Sequence, residues 1–263
     1  MEYNNFFNTH PVFTIEELRS VVNSKNIKSI HNNLKYYLNK NRIRSIRQGI
    51  YYVIPEGSQP DKFYPNNSLI ASRLSKDAVL AFHSALEVMG YGHSLFHRLF
   101  YYSPDRKRKF YFREDEFICV KIPEKLKEKR MEIFGVEEKH YHQLSIKFTN
   151  RERTFVDCLD RPEYGGGIEE VYRSIEKFPY LNFEEILEYL DTLNKRVLYA
   201  KVGFFLQQHK EQFYVEEELL NKLKEKRPAS VVYFNSKRKK GKLIKEWNLI
   251  VPEIVIKRGW EEF

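Results

Sequence analysis

Between Phe13 and Val53 the chain reads FTIEELRSVVNSKNIKSIHNNLKYYLNKNRIRSIRQGIYYV, and no other stretch constrains the fold as tightly. Thr14 precedes Ile15-Glu16-Glu17, a hydroxyl cap with a glutamate three residues on, which is the spacing of a capping box. Leu18, Val21 and Val22 give that short helix an apolar face. After a polar break at Asn23-Ser24, Ile27, Ile30, Leu34, Tyr37 and Leu38 recur at helical spacing and predict a second helix. Its opposite face carries Lys28, Ser29, His31, Asn32 and Lys35, side chains suited to phosphates and base edges. Ile43 to Arg47, a Gln48-Gly49 turn and Ile50 to Val53 read as a two-stranded hairpin. Helix, turn, helix and hairpin make a winged helix-turn-helix. The second helix would enter the major groove, while Lys25, Arg42, Arg44, Arg47 and Gln48 would hold phosphates.

Winged helices also serve as protein-contact modules, and a charged helix face is often only solvated. Charge decides between these readings. Residues 1–55 hold eight cations (Arg19, Lys25, Lys28, Lys35, Lys40, Arg42, Arg44, Arg47) against Glu2, Glu16 and Glu17, a net +5. Most of the cations fall on the second helix and the hairpin, where DNA would lie. The whole chain is also basic, with a formal net charge of +9, which favours a polyanionic partner.

At 263 residues the chain has room for a small domain and a larger one. Pro55 to Asp61 concentrates turn formers and reads as a linker. Three segments follow: residues 1–55 as the winged helix, 56–66 as linker, and 67–263 as a C-terminal domain. Residues 1–10, with Phe6 and Phe7, predict a short helix packed under the winged fold. Two helices are expected over 68–75 and 78–89, the latter with Val79, Phe82, Leu86 and Met89 on one face and Gly90 at its end. Aromatic and β-branched runs at 99–102, 110–112, 117–120, 134–141 and 144–148 predict a small, mainly antiparallel sheet. Helices return from Arg151 to Leu223, broken by a Gly-rich turn, and short strands are expected at 230–234, 247–251 and 254–256. The fold class is α/β in the broad sense, an α+β arrangement with a helical C-terminal part. No apolar run approaches the roughly 20 residues of a membrane span, and Cys119 and Cys158 stand alone. A reduced, cytoplasmic protein without membrane partners is expected.

Enzymatic readings fail on spacing. His93 and His97 stand four apart but lack the glutamate of a zinc helix. His140 and His142 alternate beside Glu137 and Glu138 without further ligands, and His83-Ser84 reads as an interior histidine on an amphipathic helix. Glu114, Asp115, Glu116 and Lys121 are the nearest approach to a nuclease cluster, in poor order. Gly165-Gly166-Gly167 lacks the Gly-Lys-Ser/Thr of a phosphate loop, and Glu169-Glu170 already supply negative charge to the following helix. The basic clusters at 106–109 and 237–242 read as solvated hairpin tips that could extend a nucleic-acid footprint. No catalytic centre, metal or cofactor is expected.

One further string carries information: Arg153-Thr154-Phe155-Val156-Asp157, then Leu159, Arg161-Pro162-Glu163, and Gly166-Gly167. With Thr14, Glu17, Leu18, Gly49 and Tyr51 in the winged region, it resembles the AbiEi family, antitoxins and transcriptional regulators of AbiE abortive-infection systems. The resemblance runs over nearly the whole chain. It implies an N-terminal domain that represses its own operon at inverted repeats. It also implies a C-terminal domain that counteracts an AbiEii-type nucleotidyltransferase toxin, with or without direct contact. Arg153, Asp157 and Arg161 are the positions to which antitoxin activity would transfer. Their structural alternative is an ion pair of Asp157 with Arg153 or Arg161 on successive helical turns. The expected function is an autorepressing DNA-binding antitoxin. The alternative is an interaction module that neutralises the toxin by binding it, with DNA binding secondary.

Overall fold

The computed structural model describes residues 2–22, 27–104, 108–141, 143–235 and 240–258. The fold is α+β. The chain forms two compact units, each assembled from separate segments.

The first unit comprises Met1–Leu80, His97–Lys121 and Glu137–Phe148. It begins with α1 (Glu2–Thr9), β1 (Val12–Thr14), α2 (Ile15–Val22), α3 (Ile27–Asn39), β2 (Ile43–Arg47) and β3 (Ile50–Val53). This is the winged helix-turn-helix. Its strands lie in the order β1-β3-β2, so the expected hairpin gains a third strand, with Phe13 opposite Tyr51. At three residues β1 is too short for an alternating pattern to show in the sequence. Phe6, Phe7, Phe13, Leu18, Ile30, Leu34 and Ile43 close the core, and at about 25 cal/mol per Å² their burial drives this small module together. Val21, expected on the apolar face of α2, is instead 52% exposed. The face that points inward is set by Leu18 and Val22, with Ile15 partly buried beside them.

α4 (Asn67–Arg73) and β4 (Val79–Leu80) follow, then β5 (Arg98–Ser103), β6 (Phe110–Phe112), β7 (Asp115–Lys121), β8 (Val136–Tyr141) and β9 (Leu144–Thr149). These strands form one six-stranded sheet in the order β6-β7-β5-β4-β9-β8. The sheet is mixed, which corrects the expectation of a mainly antiparallel one: β5 pairs β7 and β4 pairs β9 in parallel, while β4–β5 and β6–β7 are antiparallel. The parallel pair arises because the chain runs from β5 to the sheet edge, forms β6, and returns with β7 between them. Strand composition does not encode that order. The segment 56–66, expected as a linker, is tied to this unit. Arg113 donates to the Phe63 carbonyl at 2.9 Å and to the Tyr52 hydroxyl at 3.2 Å, and its guanidinium lies 4.2 Å from the centre of the Tyr64 ring. The winged helix and the sheet thus belong to one unit, and the division of the chain does not fall at 56–66.

The second unit comprises Ala81–Phe96, Ile122–Val136 and Thr149–Phe263. It contains α5 (His83–Met89), α6 (Glu124–Glu128), α7 (Arg151–Asp160), α8 (Ile168–Ile175), α9 (Phe183–Leu193), α10 (Arg196–Gln208), α11 (Glu217–Glu225) and α12 (Glu253–Lys257). A small sheet of β10 (Val232–Tyr233), β11 (Lys242–Ile244) and β12 (Leu249–Val251) joins them. Two expectations are corrected here. The helix expected over 78–89 starts only at His83, because Val79–Leu80 is a strand and Phe82 turns the chain at a φ of +55°. Residues 254–256 lie in a helix rather than a strand, since Pro252 and Glu253 supply a favourable helix start. Gly90 does end α5, in the left-handed conformation.

α10 packs so closely on Trp247 that a Cβ on Gly203 would lie 2.1 Å from the indole ring. Trp247 is fully buried. Gly203→Ala is therefore expected to destabilise the protein by about 1–3 kcal/mol, although alanine favours helices. Urea unfolding checks this, and a gain in stability would show that the contact relaxes freely.

Candidate nucleic-acid interface

Local hydrogen bonds first fix the angle of α2. The Thr14 amide donates to Glu17 Oε2 at 2.7 Å, and the Glu17 amide donates to Thr14 Oγ1 at 3.1 Å. This is the capping box that the spacing predicts. Glu17 also pairs with the buried Arg73 of α4 at 3.2 Å, which anchors α2 to the rest of the unit. Burial pulls the Arg73 guanidinium below its ordinary value, and Glu17 opposes that shift. Thr14→Ala is expected to cost about 1 kcal/mol in thermal or urea unfolding, the usual loss for an N-cap, and no loss would mean the box is dispensable.

α3 buries Ile30 and Leu34 and stacks Tyr37 on Tyr3, with ring centres 5.5 Å apart. Asn33 donates to the Tyr3 hydroxyl at 3.0 Å. That side chain therefore belongs to the scaffold. Lys28, Ser29, His31, Asn32 and Lys35 are all exposed on the other face, as the periodicity predicts. Tyr36 (57% exposed) and Lys40, 6.0 Å from the Tyr36 ring centre, extend this face beyond the residues that the sequence pattern singles out.

The hairpin turn comes close to α3. A cavity of about 360 Å³ is lined by Glu16 and Arg19 of α2, Ile30 and His31 of α3, and Gln48, Gly49 and Tyr51 of the hairpin. It brings four exposed polar side chains, Glu16, Arg19, His31 and Gln48, to one concave edge. Gly49 has a φ of +82°, which lets the turn reverse tightly enough to present Gln48. In the sequence Arg19 counts only toward the charge. The tertiary fold is what places it beside His31.

The hairpin arginines are placed differently from expectation. Arg47 donates to the Leu74 carbonyl at 2.9 Å, and its guanidinium sits 5.5 Å from the Phe110 ring centre. Arg44 pairs with Asp61 at 2.8 Å. Arg42 donates to the Ile54 carbonyl at 2.9 Å and stands 3.3 Å from Glu56. Each guanidinium has found acceptors within its own unit. For Arg47 the acceptor is a carbonyl just past the end of α4, a group with no helical partner. A register shift between Ser45 and Arg47 re-aims the strand toward it. The wing tip therefore presents Gln48 beside an exposed Arg47 that is already engaged by a carbonyl of its own unit. Lys25 lies outside the described residues, as do Arg106, Lys107, His142 and residues 236–239 of the second basic cluster.

The central motif lies in the second unit. Arg153 is fully buried on α7 and donates to the carbonyls of Glu132 at 3.0 Å and Phe134 at 2.6 Å. Its Nε stands 3.7 Å from Asp157 Oδ2, an ion-pair distance too long for a hydrogen bond. Asp157, also buried, accepts from the Tyr189 hydroxyl at 2.7 Å. Burial, and then Asp157, hold the Tyr189 phenol well above its ordinary value, so it stays a donor. Arg153 and Asp157 form the one-turn pair foreseen as their structural role, and neither is placed to touch a partner. Arg161 differs: it is half-buried, its guanidinium lies 5.7 Å from the ring centres of both Phe82 and Tyr164, and it lines a cavity.

The other singled-out residues have local partners. His83 is an interior histidine held between Glu170 at 3.1 Å and Glu87 at 3.3 Å. His97 pairs with Asp115 at 2.8 Å, and that bond raises the imidazole above its ordinary value. Asp115 also accepts from Asn67, while Glu116 takes Lys109 and Tyr111. Successive strand residues point to opposite faces, so these two carboxylates do not converge. Glu169 pairs with Arg173 on α8. Among the described residues no group of three or more His, Cys, Asp or Glu could hold a metal ion. No described helix is long and apolar enough to cross a membrane.

No protein-family model matches the chain, and no curated protein matches it either. Among solved structures, it is similar to the RV2827C protein from Mycobacterium tuberculosis. The two share 16% identity with a TM-score of 0.63, over 98% of this chain and 92% of that one. The likeness is one of fold. It extends over both units, so the α+β architecture described above is shared along nearly the full length. No enzyme family is indicated by it.

Proposed function

We propose that this chain is a DNA-binding autorepressor and antitoxin of an abortive-infection toxin–antitoxin operon, acting in the cytoplasm. The observation that carries the reading is the polar and basic face of α3. Lys28, Ser29, His31, Asn32 and Lys35 are exposed together, and His31 borders a cavity shared with Gln48 of the wing. Such a face fits the major groove, with short polar groups for base edges and lysines for phosphates. The antitoxin half rests on the AbiEi-like motif around Arg153, Asp157 and Arg161. With the first two buried, Arg161 is the one of these three able to meet a partner. The DNA partner would be inverted repeats upstream of the chain's own operon, and the functional partner an AbiEii-type nucleotidyltransferase toxin.

Asn32→Ala tests the base-reading role. An asparagine that reads adenine contributes discrimination of about 1–3 kcal/mol. The variant is expected to bind scrambled DNA as the parent does while losing preference for the upstream repeats. Uniform weakening on every sequence would make Asn32 a positioning residue.

One observation favours a second reading, in which the chain neutralises the toxin by binding it directly. Arg42, Arg44 and Arg47 are held by acceptors of their own unit, which removes expected phosphate contacts from the wing. Co-purification with the product of the neighbouring gene separates the readings. A stable complex that excludes DNA would favour direct neutralisation.

A further inference from the structure

The second unit holds a cavity of about 640 Å³ that the DNA-binding reading does not use. That volume is in the range of small-molecule sites. Its wall combines Asp160, Arg161 and Glu163 from the end of α7 and the turn beyond it, Lys201 from α10, and Tyr233 and Phe234 from the small sheet. The Lys201 side chain is the unusual member. The residue is 6% exposed, its Nζ donates to the Leu159 carbonyl at 2.8 Å, and it lies 5.3 Å from the centre of the Phe234 ring.

A lysine that merely caps the end of a helix normally keeps its ammonium in water. Lys201 instead lines an aromatic wall, and no carboxylate stands within ion-pair distance of it among the described residues. Asp160, the nearest candidate in sequence to the accepting carbonyl, is paired with Lys195 at 2.7 Å. Burial lowers the Lys201 ammonium to about 8, with Asp160 and Glu163 opposing the shift and Lys195 adding to it. At pH 7 about a tenth is therefore free amine, whereas an ordinary lysine near 10.4 has about one part in a few thousand. A buried amine in an apolar pocket is the setting in which lysines become nucleophiles. The wall also argues against an anionic ligand: Asp160 and Glu163 offset Arg161 and Lys201, so a neutral ligand with an apolar body fits best.

We propose that this cavity binds a small aldehyde or ketone with a flat apolar body, captured by Lys201 as an imine. The free amine adds to the carbonyl carbon, forming the N–C bond as the C=O π pair moves to oxygen. The carbinolamine then expels that oxygen as water, which carries away both amine protons, and a C=N bond remains. Asp160 and Glu163 on the same wall can relay protons. The step needs no oxidant or reductant and does not depend on DNA binding.

The test uses the full chain with benzaldehyde as probe and sodium cyanoborohydride to trap imines, followed by peptide mapping of every modified lysine. At pH 7.5 Lys201 is expected to be labelled at least about tenfold faster than exposed lysines such as Lys222 and Lys257, with its rate rising through a midpoint near 8. Val197→Trp, which fills the cavity from its wall, is expected to abolish labelling of Lys201 and leave the exposed lysines unchanged. Labelling of Lys201 in the parent protein no faster than at the exposed lysines would overturn the proposal. So would fast labelling that persists when the cavity is filled.

Discussion

Replacing Arg153 by methionine is expected to lower the unfolding free energy by about 3–5 kcal/mol, the usual cost of removing one partner of a buried ion pair. Arg153 satisfies the Glu132 and Phe134 carbonyls, and it is the cation beside Asp157 on a fully buried helix face. Without that cation, the Asp157 carboxylate remains beside the Tyr189 hydroxyl in a setting too dry to hold an uncompensated charge. A second substitution separates the charge from the packing. Arg153→Met combined with Asp157→Leu is expected to be more stable than the sum of the two single losses, because the stranded carboxylate is gone. Chemical denaturation of the four proteins in the cycle measures this. Strictly additive losses would mean that the two side chains do not act as a pair.

The second large effect concerns DNA. Lys28 and Lys35 stand two helical turns apart on the exposed face of α3, and in the proposed complex each would take a phosphate. Charge-assisted hydrogen bonds contribute about 1.5–3 kcal/mol each. Replacing both lysines by alanine is therefore expected to weaken binding by about a hundredfold or more at low salt, and on any sequence. The salt dependence should flatten in step, by about 0.9 log units for each phosphate that is no longer neutralised. An unchanged slope would show that these lysines face solvent in the complex. By contrast, Arg44→Ala with Arg47→Ala is expected to change the slope little, because those side chains are engaged by Asp61 and the Leu74 carbonyl. That departs from the expectation from sequence alone, in which Arg44 and Arg47 hold phosphates.

The contrast between α3 and the hairpin shows what kind of information the chain carries in plain view. Helical period, the Thr14–Glu17 box and the Gln48-Gly49 turn are local features, and each predicts its element with correct bounds or nearly so. The outward face of α3 follows from the same period. Local signals cannot reveal where an arginine finds its acceptor. Asp61 is 17 residues from Arg44 and Leu74 is 27 residues from Arg47, and only the packed chain brings them together. Distance in sequence also hides the parallel β5–β7 pairing, and brevity hides the three-residue strand β1. The cavity around Lys201 is hidden in the same way: Asp160 and Phe234 reach one wall from segments more than seventy residues apart. The central motif is legible as a helix stopped by Pro162, and the Arg153–Asp157 pair is foreseeable from i, i+4 spacing. Its burial is not foreseeable, since arginine and aspartate are ordinarily surface residues.

The repressor half of the proposed function depends on whether α3 meets DNA in a sequence-dependent way. The most direct measurement is the affinity of the full chain for its own upstream DNA and for scrambled DNA of the same length, across a salt series. The predicted result is preference for the upstream repeats, with a steep fall in affinity as salt rises, because base contacts supply the preference and phosphate contacts the salt dependence. Weak binding that treats both DNAs alike would contradict the repressor reading and leave the winged helix as a surface for protein contact.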